Sequence, residues 1–287
     1  MTVVSRYPLS SRIAPALLAT AVLLLPLKTR AQESFKERFL AHNYRMTFLQ
    51  PSWPTPLVQP DPRLTQYYRF SASDEYTSAG DRIVNYGNGH GGGIIGWTHC
   101  EFDFYPPSYL EHNSPGKDGI GDTELLMKYR IVSGNEKHGD YIVTAILGHS
   151  FATGTHTNGA ETDGWSPTIA GGVGVFKRIH AESSIGGNMP AGKIASQGRS
   201  MVWNALGMVH LADNLWLDVE NNANYYFSGP HDSRMQNFVT PATFYTFRSK
   251  NWTHTHSFLT FGIGMQIASS SFHTYNHNVI SEIRILF

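Results

Sequence analysis

The sequence predicts an all-β fold: an antiparallel transmembrane β-barrel of about 12 strands, preceded by an N-terminal signal peptide and a Pro-rich leader. Three observations carry that prediction. From about Leu64 to the end, runs of about 10–15 residues alternate apolar and polar side chains. Beyond the N-terminus no apolar stretch is long enough for a transmembrane helix. The last segment, Val279 to Phe287, alternates and ends on an aromatic residue.

Residues 1–31 read as a secretory signal. Arg6 and Arg12 supply a basic start, Ile13 to Leu27 an apolar run, and Ala31 before Gln32 a small residue at a cleavage position. The apolar run is too short to anchor the chain as a spanning helix. The chain carries 22 basic and 22 acidic residues. Residues 1–31 hold Arg6, Arg12, Lys28 and Arg30 and no acid, so the exported chain is acidic by four charges. Nucleic acid, which demands a basic face, is excluded as a partner.

Residues 32–63 differ from the rest of the chain. Pro51, Pro54, Pro56, Pro60 and Pro62 crowd around Trp53. Proline cannot donate to a strand ladder, so this stretch reads as a periplasmic leader or a partial plug rather than barrel wall.

The wall is expected over residues 64–287. In residues 213–227, Leu215, Leu217, Val219, Ala223, Tyr225 and Phe227 share one face, with Trp216, Asp218, Glu220, Asn222 and Asn224 on the other. The same period recurs in 97–105, 120–132, 139–151, 255–267 and 275–287. The runs divide into strands at 65–77, 80–88, 94–104, 119–133, 139–152, 165–178, 179–189, 199–212, 213–227, 236–248, 255–268 and 275–287. Connections near 134–138, 178–179, 212–214 and 249–254 are short. Those near 105–118, 153–164, 190–198 and 228–235 are long and rich in turn residues. Outer-membrane barrels alternate short periplasmic turns with long outer loops in this way. A soluble periplasmic sandwich or lipocalin-like barrel is the competing fold, but the run length and the terminal Phe favour the membrane.

Composition agrees. Charged residues are 15% and aromatics 13% of the chain, which suits strands with lipid on one side and water on the other. The lone cysteine, Cys100, cannot form an internal disulfide and reads as a small apolar wall residue.

Val279, Ile283, Ile285 and Phe287 form the lipid-side face of the last strand and resemble the C-terminal signal that barrels present to their assembly machinery, an edge strand offered for β-augmentation. The stretch Gly119-Ile120-Gly121-Asp122-Thr123-Glu124-Leu125-Leu126-Met127-Lys128-Tyr129-Arg130 resembles a segment of the meta-pathway-of-phenol-degradation family of outer-membrane transporter barrels. Elsewhere that resemblance rests on strand pattern and the C-terminus. It implies an outer-membrane barrel that passes small compounds, aromatic or apolar solutes among them, and it supplies no catalytic residues.

The polar face offers candidate lumen-lining charges. Glu101 and Asp103 fall on one strand, and Asp122, Glu124, Lys128 and Arg130 on the next. Asp218, Glu220, Glu282 and Arg284 lie near the C-terminus. Such groups line a cation-biased pore, form an ion-pair network that fills a narrow barrel, or do both. The histidines His254, His256, His273 and His277 read as rim residues rather than metal ligands, since no Cys or carboxylate cluster accompanies them. Gly89-His90-Gly91-Gly92-Gly93 lacks the Lys-Ser/Thr of a phosphate loop and reads as a flexible turn. Tyr225, Tyr226, Phe227, Tyr245, Trp252 and Tyr275 sit at run ends, where aromatic girdles belong.

The function expected is an outer-membrane channel or uptake barrel for small solutes, embedded in lipid and assembled by the barrel machinery, with no cofactor and no metal. Two alternatives stand beside it. One is a lipid hydrolase using His231 and Ser233 on the barrel rim, although Gly229-Pro230-His231-Asp232 has the chemistry of an ordinary turn. The other is a structural or surface-binding barrel with a filled lumen.

Overall fold

The computed structural model describes residues 34–113, 116–247 and 258–287. The signal peptide expected over 1–31 and the connection expected near 249–254, with Trp252, His254 and His256, lie outside these residues.

The hydrogen-bonded segments join into one antiparallel sheet whose first and last members pair, Tyr67 opposite Leu286 and Tyr76 opposite His277. The sheet therefore closes on itself and leaves no edge, which is the form a spanning sheet must take in lipid. Several segments are pieces of one strand, and twelve strands result. They are β1 (Tyr67–Tyr76), β2 (Arg82–Tyr86 and Gly91–Trp97), β3 (Cys100–Tyr105 and Tyr109–His112) and β4 (Gly119–Ile120 and Thr123–Gly134). The middle four are β5 (Tyr141–Phe151), β6 (Gly164–Phe176), β7 (Ile179–Pro190) and β8 (Ser200–Ala212). The last four are β9 (Leu215–Tyr226), β10 (Met235–Phe247), β11 (Phe258–Ala268) and β12 (His277–Leu286).

The first third departs from the expected parsing. The sequence predicts separate strands at 80–88 and 94–104 and a long connection at 105–118. Instead β2 continues through both stretches, the 94–104 run folds as a hairpin turning at Thr98–His99, and Tyr109–His112 belongs to β3. The cause is a large bulge. Arg69 faces Gly91 and Ala72 faces Tyr86, so residues 70–71 stand against residues 87–90. Gly87 and Gly89 take φ of 93° and 67°, a conformation glycine adopts without strain. The start of the glycine cluster is a hydrogen-bonded turn that bulges from the strand, whereas Gly91–Gly93 are strand itself, and the bulge resets the parity that the sequence pattern relies on.

Connections 98–99, 177–178 and 213–214 are tight and share one rim with 135–140. Connections 113–118, 152–163, 191–199, 227–234 and 269–276 share the other. Between the rims the outward side chains are apolar and exposed, among them Trp203, Leu217, Val219, Ile263 and Ile283. An exposed apolar surface running around a closed barrel is a lipid-facing surface. Tyr225, Phe227 and Tyr245 lie on this outer face. Tyr226 and Tyr275 do not: Asn224 donates to the Tyr226 hydroxyl, and Tyr275 stacks on Phe238 with ring centroids 4.3 Å apart.

Residues Leu40–Phe287 form one compact unit. Helix α1, Phe35–Thr47, starts on a capping box in which the Glu37 amide donates to Ser34 Oγ (3.2 Å) and the Ser34 amide to Glu37 Oε2 (2.7 Å). From its last turns to Gln66 the chain runs inside the barrel, touching inward residues of strands on every side. Each of the three buried apolar clusters among the described residues centres on this segment. Trp53 packs with Ile142, Leu206 and Met208; Leu57 with Ala242, Phe244 and Ile280; Met46 and Leu64 with Ile95. The apolar core of this molecule thus lies between the leader and the inner wall.

Candidate functional site

The inner wall is built from the alternate residues of each strand, and its polar groups separate into two levels. Near the short-turn rim they are charged and engage residues 43–66. Glu101 and Asp103 come from β3 and Lys128 from β4. Lys128 Nζ lies 2.7 Å from Glu101 and 3.5 Å from Asp103, while the Thr65 amide donates to the second oxygen of Glu101. Gly93 faces this group without a side chain; a Cβ there would collide with Asp103 Oδ1 and stand 2.7 Å from the Tyr67 ring. Arg130 donates to the Met46 carbonyl (2.9 Å), to Gln50 Oε1 (3.1 Å) and to the Thr98 carbonyl (2.9 Å).

Across the lumen, Glu220 on β9 accepts the backbone amides of Leu57 (2.6 Å), Val58 (3.1 Å) and Gln59 (2.7 Å). Successive amides converging on one carboxylate form an anion nest. Gln59 in turn donates to Glu182 on β7 (3.2 Å), and Asp218 is buried beside Glu220 on the same face. On β12, Arg284 pairs with Glu282 (2.5 Å) and also reaches the Pro56 carbonyl, and Arg69 approaches Glu282 from β1 at 3.6 Å. The Thr144 hydroxyl donates to the Pro62 carbonyl.

Two acids hold the leader from outside the strands. Within it, Asp61 grips Arg63, which also donates to the Trp53 carbonyl and Thr55. Burial opposes ionisation of Asp61, but Arg63 and Lys128 hold its carboxyl below the ordinary value. In the turn 135–140, Glu136 accepts the Ser52 amide (2.9 Å) and hydroxyl (2.5 Å); these bonds outweigh the burial that opposes them and lower its pKa.

Toward the long-loop rim the inner wall is lined mainly by amides, with Glu124 on β4 and Glu75 on β1 as charged exceptions. A cavity of about 450 Å³ is floored by Thr55, Val58 and Pro60. Arg69, Glu124 and Lys128 lie on one side of it, and Asn188, Asn204, Asn222, Asn224, Gln236 and Gln266 on the other. Lys128 is already paired; Glu124 has no ion-pair partner among the described residues.

The candidate charges thus fall into separate settings. Glu101, Asp103, Lys128, Arg130, Asp218, Glu220, Glu282 and Arg284 are buried on the inner face. Glu124 faces the cavity. Asp122 precedes the main part of β4 and staples an outer loop, accepting the amides of Gly154 (2.8 Å) and Ala160 (2.7 Å). Val279, Ile283, Ile285 and Phe287 are exposed on the outer face, and Phe287 ties the leader in through its amide bond to Gln66 O (3.0 Å) and the Asn43 side chain on its carbonyl. Sequence reasoning passed over Glu182 and the amide wall. The available signal was Asn and Gln recurring at inward parity on β8, β9, β10 and β11.

The described rim residues singled out by the sequence are engaged in structural contacts. Ser233 adopts φ of 61° and its amide closes the turn on Tyr226 O, while His231 packs against Phe272 (4.9 Å) and Tyr226. His273 is bonded to Ser270 O and Asn276, and His277 stacks on Tyr76. Among the described residues no group of three or more His, Cys, Asp or Glu is placed to hold a metal.

No family model matches the chain, and no curated protein matches it. The family resemblance therefore rests on residues 119–130, the strand pattern and the C-terminus, and neither comparison names the family. Among solved structures, the NanC porin aligns over 77% of this chain and 98% of its own at 8% identity and a TM-score of 0.48. An outer membrane channel from Pseudomonas putida F1 aligns over 82% and 100% at 13% identity and 0.49. The outer membrane channel DcaP of Acinetobacter baumannii aligns over 78% and 96% at 10% identity and 0.34. Function is therefore read from this chain's own geometry.

Proposed function

We propose that the protein is an uptake barrel of the Gram-negative outer membrane that admits small solutes through its lumen, with residues 43–66 acting as a plug on the short-turn side. The observation that carries this reading is a closed barrel, apolar outside, around a polar cavity whose floor is the chain's own leader. In this reading Glu101, Asp103, Lys128, Arg130, Asp218, Glu220, Glu282 and Arg284 line the lumen and hold the plug, and Glu124 lines the solute cavity. Val279, Ile283, Ile285 and Phe287 are the strand face read by the assembly machinery. The plug supports a second reading, a barrel that binds a solute from outside without passing it.

Proteoliposome swelling separates the two. An uptake barrel admits a small neutral solute, and does so faster when Glu220→Ala loosens the plug. A purely binding barrel admits none in either form. Partition of the heat-modifiable protein into the outer-membrane fraction checks the location.

A further inference from the structure

The wall of the cavity on β7, β8, β9 and β11 carries an ordered chain of hydrogen bonds. The Tyr275 hydroxyl donates to Gln266 Oε1, Gln266 Nε2 to Asn222 Oδ1 (3.4 Å), Asn222 Nδ2 to Asn204 Oδ1 (2.9 Å), and Asn204 Nδ2 to Ser184 Oγ (2.9 Å). Every bond runs in the same direction. A carboxamide has two N–H donors and two acceptor lone pairs. Gln266, Asn222 and Asn204 each spend one N–H and one lone pair on the chain, so each keeps one donor and one acceptor side by side. Asn224 lines the cavity at the same level, its carbonyl oxygen buried and without a protein partner. The flat Tyr275–Phe238 stack adjoins this wall.

Paired donor and acceptor positions select among solutes. A carboxylate only accepts and an ammonium only donates, so each would leave half of these groups unsatisfied. A phenol offers one hydroxyl for several sites. A sugar offers successive hydroxyls, each both donor and acceptor, and an apolar ring face for the aromatic stack. The cavity volume lies within the roughly 300–1,000 Å³ of small-molecule pockets. Resting on the uptake reading, we infer that the amide wall is a binding site for an uncharged polyhydroxylated solute of the mono- or disaccharide class, and that the charged groups of the lower lumen serve the plug rather than the solute.

The test is equilibrium dialysis of the detergent-solubilised full chain with maltose, glucuronate, glucosamine and phenol. Maltose is expected to bind saturably and the other three about tenfold or more weakly. Asn222→Asp, which keeps shape but reverses one donor, and Asn222→Leu are each expected to weaken maltose binding about tenfold. Ile263→Val, on the outer face, is expected to leave maltose binding unchanged. Heat-modifiable migration verifies that each variant is folded. The inference is overturned if maltose does not bind saturably, if phenol or a charged sugar binds more tightly, or if both folded Asn222 variants bind maltose as the parent does. Swelling assays on the same preparations keep the two claims apart. Solute flux without sugar binding sinks this site and leaves uptake standing; sugar binding without flux in the parent and in Glu220→Ala does the reverse.

Discussion

Along β9 the inward residues near the short-turn rim are Asp218 and Glu220, and those nearer the long-loop rim are Asn222 and Asn224. On β7 the same change runs from Glu182 to Asn188, and on β12 from Arg284 and Glu282 to Asn278. On these three strands the lower level is ionic and filled and the upper is amide-lined and open, whereas β1 and β4 carry Glu75 and Glu124 at the upper level. The physics of burial accounts for the difference. A buried charge is stabilised by partners, the wall supplies fewer bases than acids, and backbone amides of the leader serve Glu220 and Glu101. Amides carry no charge, and where they border the cavity their remaining donors and acceptors can meet water or a solute. On β7, β9 and β12 charge sits where the wall meets the leader and amide where it meets the cavity; Glu124 on β4 is a charged exception.

The sharpest way to break that contrast is Trp53→Ala. Truncating a buried aromatic costs roughly 3–5 kcal/mol, and the loss should fall on the leader because the barrel ladder does not include Trp53. Limited proteolysis should then cut within residues 40–66 while the barrel remains heat-modifiable; continued protection of the leader contradicts a docked plug. Glu220→Ala strips three backbone amides of their acceptor, at about 1–3 kcal/mol for each amide left unsatisfied. It should expose the same segment without cutting the wall.

Arg130→Met keeps length and removes three hydrogen bonds, and should lower the thermal midpoint of the leader's release by a few degrees. Thr144→Val, which removes one bond to Pro62 O, should weaken plug docking by about 1 kcal/mol. The smallest effect is on pH. The pKa of Glu136 is lowered in the folded chain, so its contribution is full above its ordinary value of 4.5 and fades as pH falls through the folded value. Protease access near Ser52 should rise on acidification below about pH 4.5, and Glu136→Gln should abolish that rise. Asn222→Leu, on the upper level, should leave leader protection unchanged.

Much of this wall is legible in the sequence. Leu217, Val219 and Asp218, Glu220 declare opposite faces, as do Ile283, Ile285 and Glu282, Arg284, because a strand reverses its side-chain direction at every residue. The region around β2 was illegible for the same reason. Gly91, Gly92 and Gly93 have no side chain to show a face, and the bulge at 87–90 shifts the parity that Phe102 and Asp103 then resume. Tyr275 reads as a girdle residue by its place near a strand end, but its ring turns inward onto Phe238, a long-range contact that spacing does not encode. The upper site is not marked by charge: Asn204, Gln236 and Gln266 occupy inward positions as regular as any Glu or Arg, yet only the closed barrel brings them onto one wall.

In the proposed function the leader closes the lower lumen of an otherwise passable barrel. Planar-bilayer conductance of the full-length parent and of Glu220→Ala tests it most directly. A docked plug predicts small or rare openings for the parent and a conductance several-fold larger or more often open for the variant. Equal conductance in the two folded proteins, whether open or closed, would contradict it.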